Sequence, residues 1–269
     1  MKIYFNRFSR TILFILLLQF LFISNTSGQY KYDINQFGNE IGTFAVQPTN
    51  WSSNEWLMVL GIAGLTYGTM QFDEQVKYEM LKNQDYTNII PIQFGKYWGE
   101  PIVTFGLGAS FLGYGLLADD NTSKKIGYEI GQSAFFAGII TTVFKYSFGR
   151  ERPRHNNDPF SFAPFSLKSD DYLALNSGHT ALAFSLSTVL AENTDNTYLK
   201  VLSFLPAVLT AFSRVYHNHH WTSDVLLGGI IGYSVGKFVT DLHLDLEVNS
   251  TLLGASPIES NIFVIRIHL

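Results

Sequence analysis

The stretch 213–224 reads SRVYHNHHWTSD and concentrates an arginine, three histidines and an aspartate within twelve positions. It lies where two apolar segments of helical length meet, about Tyr198–Tyr216 and Thr222–Leu242. His220 and Asp224 are four positions apart, so on a helix they share one face. An aspartate one turn beyond a histidine can accept its ring N–H and raise the basicity of the other ring nitrogen. We therefore predict that His220 acts as a nucleophile or as a ligand.

A basic cluster ends an earlier apolar segment, about Ser123–Phe148. The sequence KYSFGRERPR, 145–154, carries four basic residues against a single acid, Glu151. Such a cluster is either a solvated basic face or the binding site of an anion. Pro153 stiffens the chain beside Arg152, which favours a positioned arginine.

The third cluster is NSGHT, 176–180, at the start of another apolar segment, about Ser177–Glu192. The first N–H groups of a helix have no partner within the helix and, together with the helix dipole, favour an anion. Gly178 lets an anion approach the backbone, and His179 follows in the first turn. In the alternative interpretation, Asn176 or Ser177 is only a helix cap and His179 a surface residue.

In order and spacing, the three clusters resemble the three-part signature of the type 2 phosphatidic acid phosphatase and haloperoxidase superfamily. The matching elements are Lys145, six residues and Arg152-Pro153; Ser177-Gly178-His179; and Ser213-Arg214, five residues, His220, three residues and Asp224. Asn176 departs from the pattern, because the family usually has proline there. Asparagine caps helices well, so we expect a changed helix start and intact chemistry.

The resemblance implies a metal-independent phosphatase that works through a phosphohistidine. The implied catalytic residues are His220 as nucleophile, His179 as general acid and base, and Asp224 as the partner of His220. The implied phosphate-binding residues are Lys145, Arg152, Ser177, Gly178 and Arg214. No metal or cofactor is expected, although vanadate can occupy the phosphate site. The alternative is a vanadate-dependent haloperoxidase that uses the same anion site.

The expected substrate is a phosphomonoester or diphosphate, either a lipid such as phosphatidate, polyprenyl diphosphate or lipid A, or a soluble ester. Phe160, Phe162 and Phe165 either line an acyl chain or cap the core. We expect His217 and His219 to be turn residues at the mouth of the site. Arg150, Arg154 and His155 are expected to enlarge its positive charge.

The composition indicates a packed globular chain. Of 269 residues, 46% are hydrophobic and 15% charged, enough for a large core. The net charge of −4 argues against nucleic acid as a partner, and the lack of cysteine excludes disulfides and thiolate metal sites. The expected partner is therefore a phosphate-containing small molecule or lipid, with a possible membrane surface.

The predicted fold is all-α, a six-helix bundle of the type 2 phosphatidic acid phosphatase kind with a short C-terminal β-hairpin. The two further predicted helices are about Ser53–Phe72 and Pro101–Leu117, and a loop is predicted over Phe72–Glu100. Strict alternation over Leu242–Val248, followed by NIFVIRIHL, predicts the hairpin.

The predicted domain boundaries are 1–28, signal peptide; 29–50, polar segment; 51–242, phosphatase-like domain; and 243–269, hairpin tail. The signal peptide is predicted because basic residues precede the apolar run 11–23 and small polar residues follow it. We expect a periplasmic or periplasm-facing, membrane-associated enzyme whose bundle does not fully span the membrane. The alternative is an integral inner-membrane protein.

Overall fold

The computed structural model describes residues 32–82, 84–165 and 169–253. Its α-helices are α1 Ile34–Asn50, α2 Ser53–Met70, α3 Asp73–Lys82, α4 Ile90–Trp98, α5 Pro101–Leu117, α6 Asn121–Phe148, α7 Gly178–Glu192, α8 Thr197–Tyr216 and α9 Thr222–Leu253. Two short 3₁₀ helices cover Gln84–Tyr86 and Asp170–Tyr172. Since the only strand-like feature of the described residues is an isolated bridge between Arg150 and Phe162, the all-α prediction is confirmed for them.

The six predicted helices are present as α2 and α5 to α9. Their ends have local causes. The side chain of Asp120 accepts the N–H of Ser123 at the start of α6, at 3.0 Å. Gly149 ends the same helix with φ of 57°, in the left-handed region that glycine adopts readily. Pro101 occupies the first turn of α5, where its missing N–H costs nothing.

The loop predicted over Phe72–Glu100 is wrong, because α3 and α4 lie within it. Helix α3 is short and mostly polar, so it has little apolar periodicity to reveal it. Its first turn carries Asp73 and Glu74 and its last turn Lys82, an arrangement that suits the helix dipole.

The strand predicted over Leu242–Val248 is also wrong, because α9 continues to Leu253. Leu242 and His243 are adjacent and each is only 1% exposed. In a strand, these neighbouring side chains would point to opposite faces. In the structure both are buried because the helix is covered on both sides at Leu242 and His243. The remainder of the predicted hairpin and the predicted signal peptide lie outside the described residues.

Helix α7 occupies the middle of the bundle and contacts α6, α8 and α9. The contact with α9 is made by glycines spaced four residues apart: Gly228, Gly232 and Gly236. A Cβ atom on Gly228 would lie 2.6 Å from the carbonyl oxygen of Ser177. One on Gly232 would lie 2.2 Å from that of Ala181. The glycines therefore bring α9 against the backbone of α7 and so set the distance between the two motifs that these helices carry.

Helix α1, from the segment 29–50, packs on the bundle through aromatic and polar contacts. The ring of Phe44 stacks on that of Phe136 with centroids 4.0 Å apart. Glu40 is buried and accepts hydrogen bonds from Tyr128 at 2.6 Å and Gln132 at 2.7 Å. His243 of α9 lies 3.3 Å from the same carboxylate. This polar cluster joins α1 to α6 and α9.

Several helices present apolar surface outward. Two described helical stretches are long and apolar enough to cross a membrane, Thr197–Tyr216 and Thr222–Leu244. The pair α4 and α5, bent by 67°, would make a third if it forms one span. Only 22% of the apolar window of α8 is buried within the protein. Large exposed apolar surfaces mark contacts with membranes or partners, so these helices support membrane association.

Candidate active site

Four segments meet at one end of the bundle: the end of α6, the loop after it, the start of α7 and the turn between α8 and α9. Arg152 of the loop donates through Nη1 to the carbonyl of His219, at 3.2 Å. The same atom lies 3.4 Å from Nε2 of His220. The N–H of Ser177 donates to the carbonyl of Asp224 at 3.0 Å. These contacts bring the three sequence clusters into one site.

His220 is buried, with 2% of its surface exposed. Its Nδ1 atom lies 3.6 Å from Oδ2 of Asp224 and has no hydrogen-bond partner among the described residues. Burial, together with the charges of Lys145 and Arg152, holds the pKa of His220 well below its usual range. The ring is therefore neutral at ordinary pH, the state that a nucleophilic nitrogen requires.

Asp224 is completely buried and its two oxygens have different partners. Oδ1 accepts from Nη1 of Arg150 at 2.6 Å. Oδ2 accepts from the backbone N–H of Trp221 at 2.9 Å and is the oxygen that faces His220. The carboxylate is thus held in one orientation beside the imidazole.

Lys145 and Arg214 bring two further cations to the site. Burial, followed by the charge of Arg152, lowers the pKa of Lys145 from 10.5 to about 8. Arg214 is 7% exposed, and its Nε atom finds no acceptor in the described part of the chain. A buried donor without an acceptor costs about 1 to 3 kcal/mol, which a bound anion would recover.

Arg152 is held in place by the loop that precedes α7. Its Nε donates to the carbonyl of Asp170 at 3.0 Å, and its Nη2 donates to the carboxylate of the same residue at 2.9 Å. The side chain of Asp170 is 64% exposed. The guanidinium is thus fixed by backbone and side-chain contacts, as expected of a positioned arginine.

Ser177 is the cap of α7. Its hydroxyl accepts from the N–H of Thr180 at 3.5 Å and from the hydroxyl of Thr180 at 2.9 Å. Asn176 lies one position before the cap, where it is buried and donates to the hydroxyl of Thr141 at 3.3 Å. A Cβ atom on Gly178 would lie 3.3 Å from the Cγ2 atom of Thr141. Asn176 thus packs against α6 and does not cap the helix.

His179 lies in the first turn of α7 and is partly exposed. Its Nε2 atom is 3.5 Å from Oε1 of Glu100, the residue before α5. Burial, then the charges of Arg214 and Lys145, lowers its pKa from 6.5 to about 3. A bound phosphate dianion would oppose these cations and favour the protonated ring.

The basic residues expected at the mouth divide into two groups. For Arg150 the expectation is wrong: it is fully buried and binds Asp73 and Asp224. Arg154 and His155 are partly exposed and pair with Asp171, at 3.3 and 2.6 Å. These two lie at the surface beside Arg152.

The other residues singled out in the sequence surround the site. Phe160, Phe162 and Phe165 are 40%, 37% and 77% exposed, so each ring keeps surface that an acyl chain could contact. His217 belongs to the turn, where its Nδ1 atom lies 2.8 Å from the carbonyl oxygen of Ser213.

Sequence reasoning missed Asp73 and Glu100. Asp73 is 77 positions from its partner Arg150 and lies in a helix that was not predicted. Glu100 precedes Pro101 at a helix start, which in sequence marks only a helix boundary. Neither has a motif around it, so no local signal could have identified them.

Comparison with known proteins relates this arrangement to one family. Residues 128–247, which contain every motif above, match the family model described as the PAP2 superfamily. This part of the chain is therefore similar to the PAP2 superfamily.

Three curated proteins that resemble this chain are named for phosphatases of lipid A or undecaprenyl diphosphate. A lipid A 1-phosphatase of Porphyromonas gingivalis is 25% identical over 231 residues, 77% of this chain and 42% of the relative. An undecaprenyl-diphosphatase of Sulfolobus acidocaldarius is 33% identical over 46% of this chain and 57% of that protein. A lipid A 4'-phosphatase of P. gingivalis is 29% identical over 44% of this chain and 50% of the relative. The chain thus spans roughly half the length of these relatives.

Among solved structures, the crystal structure of Aquifex aeolicus LpxE is similar. The TM-score is 0.43 at 22% identity, over 55% of this chain and 82% of that one.

Proposed function

We propose that this protein is a metal-independent phosphatase that removes phosphate from a membrane lipid through a phosphohistidine at His220. The observation that carries the proposal is a neutral, buried imidazole placed beside three cations: Arg152 and Arg214, which are buried, and Lys145, which is partly buried. Cations fixed around a transferring phosphoryl group stabilise the charge of its transition state. They can supply the neutralisation that a metal ion supplies in other phosphatases.

In the first step, Nε2 of His220 forms a bond to phosphorus as the bond from phosphorus to the ester oxygen breaks. The imidazole becomes positively charged, and Oδ2 of Asp224, 3.6 Å from Nδ1, stabilises that charge. Protonated His179 gives its proton to the departing oxygen.

In the second step, a water molecule attacks phosphorus and His179 takes up its proton. The bond from nitrogen to phosphorus breaks, and its electron pair returns to His220. Inorganic phosphate leaves, and both histidines regain their starting states. Vanadate is a tetrahedral oxyanion like phosphate and readily takes a fifth ligand, which gives the shape of the five-coordinate phosphorus. It should therefore occupy the phosphate site and inhibit.

A lipid substrate is favoured by the surface around the site. Phe165 and Phe160 are exposed in the loop between α6 and α7, and the ring of Phe160 lies 6.1 Å from that of Tyr67 on α2. The apolar, outward-facing α8 would hold the site near a bilayer. The relatives named for lipid A and undecaprenyl diphosphate agree with this class. We place the enzyme in the periplasm or facing it, on the basis of the pattern in residues 1–28.

A phosphate-release assay tests the proposal. The protein purified in detergent is incubated with EDTA and with phosphatidate, undecaprenyl diphosphate, lipid A or p-nitrophenyl phosphate, with a His220→Ala variant as the blank. The expected result is release of phosphate from at least one lipid, inhibited by vanadate. A requirement for an added divalent metal, or release equal to that of the blank, would overturn it.

A further inference from the structure

Arg150 joins Asp224 to a second buried aspartate that lies outside the signature. Its Nη1 donates to Asp224 at 2.6 Å and to the hydroxyl of Ser223 at 2.7 Å. Its Nη2 donates to Asp73 at 2.8 Å. Its Nε donates to the carbonyl of Pro159 at 2.9 Å. The side chains of Arg150, Asp73 and Asp224 are all 0% exposed.

The charges of this trio leave one negative charge in excess, since two carboxylates face one guanidinium. Burial raises the pKa of Asp73, and the charge of Arg150 and the hydrogen bonds from Arg150 and Ser223 oppose that rise. An ion pair of Arg150 with Asp224 alone would be neutral and would offer little to a cationic imidazole. With Asp73 present, the excess negative charge remains to balance the charge that His220 gains during attack.

The same contacts orient the carboxylate of Asp224. Because Oδ1 is held by Arg150, Oδ2 is left to face Nδ1 of His220. Asp73 also accepts from the N–H of Ser223 at 2.9 Å, in the first turn of α9, so α3 fixes the helix that carries Asp224.

We propose that Asp73 and Arg150 are positioning residues for Asp224. Arg150 keeps Asp224 ionised and directed at His220, and Asp73 holds Arg150 and leaves the trio one negative charge in excess. The proposal rests on the proposed phosphatase activity. The Asp73 carboxylate is supplied by α3, before the segment 128–247 that matches the family. The alternative is a network that only holds α3 against α9.

Two variants separate these roles. Asp73→Asn keeps the shape and removes one negative charge. We expect kcat to fall by about 10- to 100-fold, the size of effect seen when the hydrogen-bonded partner of a metal-ligating residue is removed. KM should stay within about twofold, because no phosphate contact changes. Glu74→Gln, an exposed acid on the same turn, is the matched control and should keep wild-type kcat.

Arg150→Met leaves two buried carboxylates without their cation, so one of them holds a proton. The charged groups near Asp224 are then Lys145, His220 and Asp73. Activity should be lowest at acidic pH and recover as pH rises and Asp224 ionises. Adding Asp73→Asn to Arg150→Met leaves Asp224 as the only carboxylate of the trio, so the double variant should be more active at neutral pH than Arg150→Met alone.

Binding of inorganic phosphate, measured by calorimetry, and the thermal unfolding midpoint show whether each variant is folded. If the network is only structural, kcat should fall in proportion to the unfolding midpoint. The pH profile should then show no new loss of activity at acidic pH, and the double variant should not recover activity. That pattern, or wild-type kcat and pH profile in both single variants, overturns the inference. If the wild-type protein releases no phosphate from any substrate, the proposed function itself has failed.

Discussion

Glu100 places its Oε1 atom 3.5 Å from Nε2 of His179, at the point where α4 and α5 are bent by 67°. The backbone leaves little space there, since a Cβ atom on Gly99 would lie 2.4 Å from Thr210 and 3.2 Å from Cβ of His179. A carboxylate at this distance raises the proton affinity of the imidazole, against burial and the cations of the site. Glu100 therefore favours protonation of His179 once a bound phosphate dianion offsets the cations.

Replacing Glu100 with Gln should weaken general-acid catalysis. Activity towards an alkyl phosphate, whose leaving oxygen needs a proton, should fall by about tenfold, within the range of general acid catalysis. Activity towards p-nitrophenyl phosphate should change little. The alkaline limb of kcat should move to lower pH, because His179 then loses its proton more readily. Glu100→Asp, which keeps the charge, should be intermediate. Equal losses on both substrates with an unmoved limb would contradict this role.

Removal of either histidine should separate the two chemical steps. His220→Ala should abolish turnover and leave no acid-labile phosphoenzyme, because the bond to phosphorus cannot form. His179→Ala should slow both steps and let phosphoenzyme accumulate when the leaving group needs no proton. Rapid acid quench with radiolabelled substrate measures the intermediate. Near wild-type turnover by His220→Ala would refute the assignment of the nucleophile.

The pKa of Lys145 sets a limit on alkaline activity. It is lowered to about 8, first by burial and then by the charge of Arg152. Below that pH the ammonium group is charged and attracts phosphate; above it the charge is lost. We expect kcat/KM, which reports the free enzyme, to fall above about pH 8. The plot of kcat should stay flatter, because a bound dianion restores the proton.

The Lys145→Arg variant tests whether Lys145 causes this fall in kcat/KM. A guanidinium keeps its charge throughout the range, so the decline in kcat/KM above pH 8 should disappear even if the rate is lower. Lys82→Arg, on the surface of α3, is the control and should keep the decline. Persistence of the limb in Lys145→Arg would assign it to another group.

Much of the bundle could be predicted because its long helices carry unbroken apolar runs. Helix α5 was predicted with both ends correct, since Pro101 marks its start and an apolar run fills it. Helix α3 has no such run and is held by a tertiary contact, the buried pair of Asp73 and Arg150. At the C-terminal end, local alternation indicated a strand, whereas burial of His243 beside Glu40 and Glu129 accompanies a helix.

The residues of the candidate site likewise divide into those that the sequence could identify and those that it could not. Lys145, Arg152 and His220 lie in patterns with fixed spacing and were identified from the sequence. Arg150 belongs to the same basic run, yet its partners are Asp73 and Asp224, 77 and 74 positions away. Whether a basic side chain faces solvent or a buried acid depends on the fold. The spacing of residues in the sequence therefore could not show that Arg150 is buried against two acids.

The close contact of α9 with α7 gives a last prediction, about Gly228. A methyl group there would lie 2.6 Å from the carbonyl oxygen of Ser177. Gly228→Ala should therefore separate the helices and disturb the bond from Ser177 to Asp224. Overpacking of this kind lowers the unfolding free energy by about 1 to 3 kcal/mol. We also expect lower kcat, because Ser177 and Asp224 belong to the site.

Gly229→Ala is the matched control, because a methyl group on Gly229 meets only the ring of Phe184 at 3.4 Å, an ordinary contact. It should keep wild-type kcat and gain up to about 1 kcal/mol from helix propensity. Denaturant unfolding and phosphate release, measured on both variants, test the difference. Equal stability and activity of Gly228→Ala and Gly229→Ala would mean that α9 can move away from α7 without disturbing the site. The distance between Ser177 and Asp224 would then be set by the loops and not by the glycines of α9.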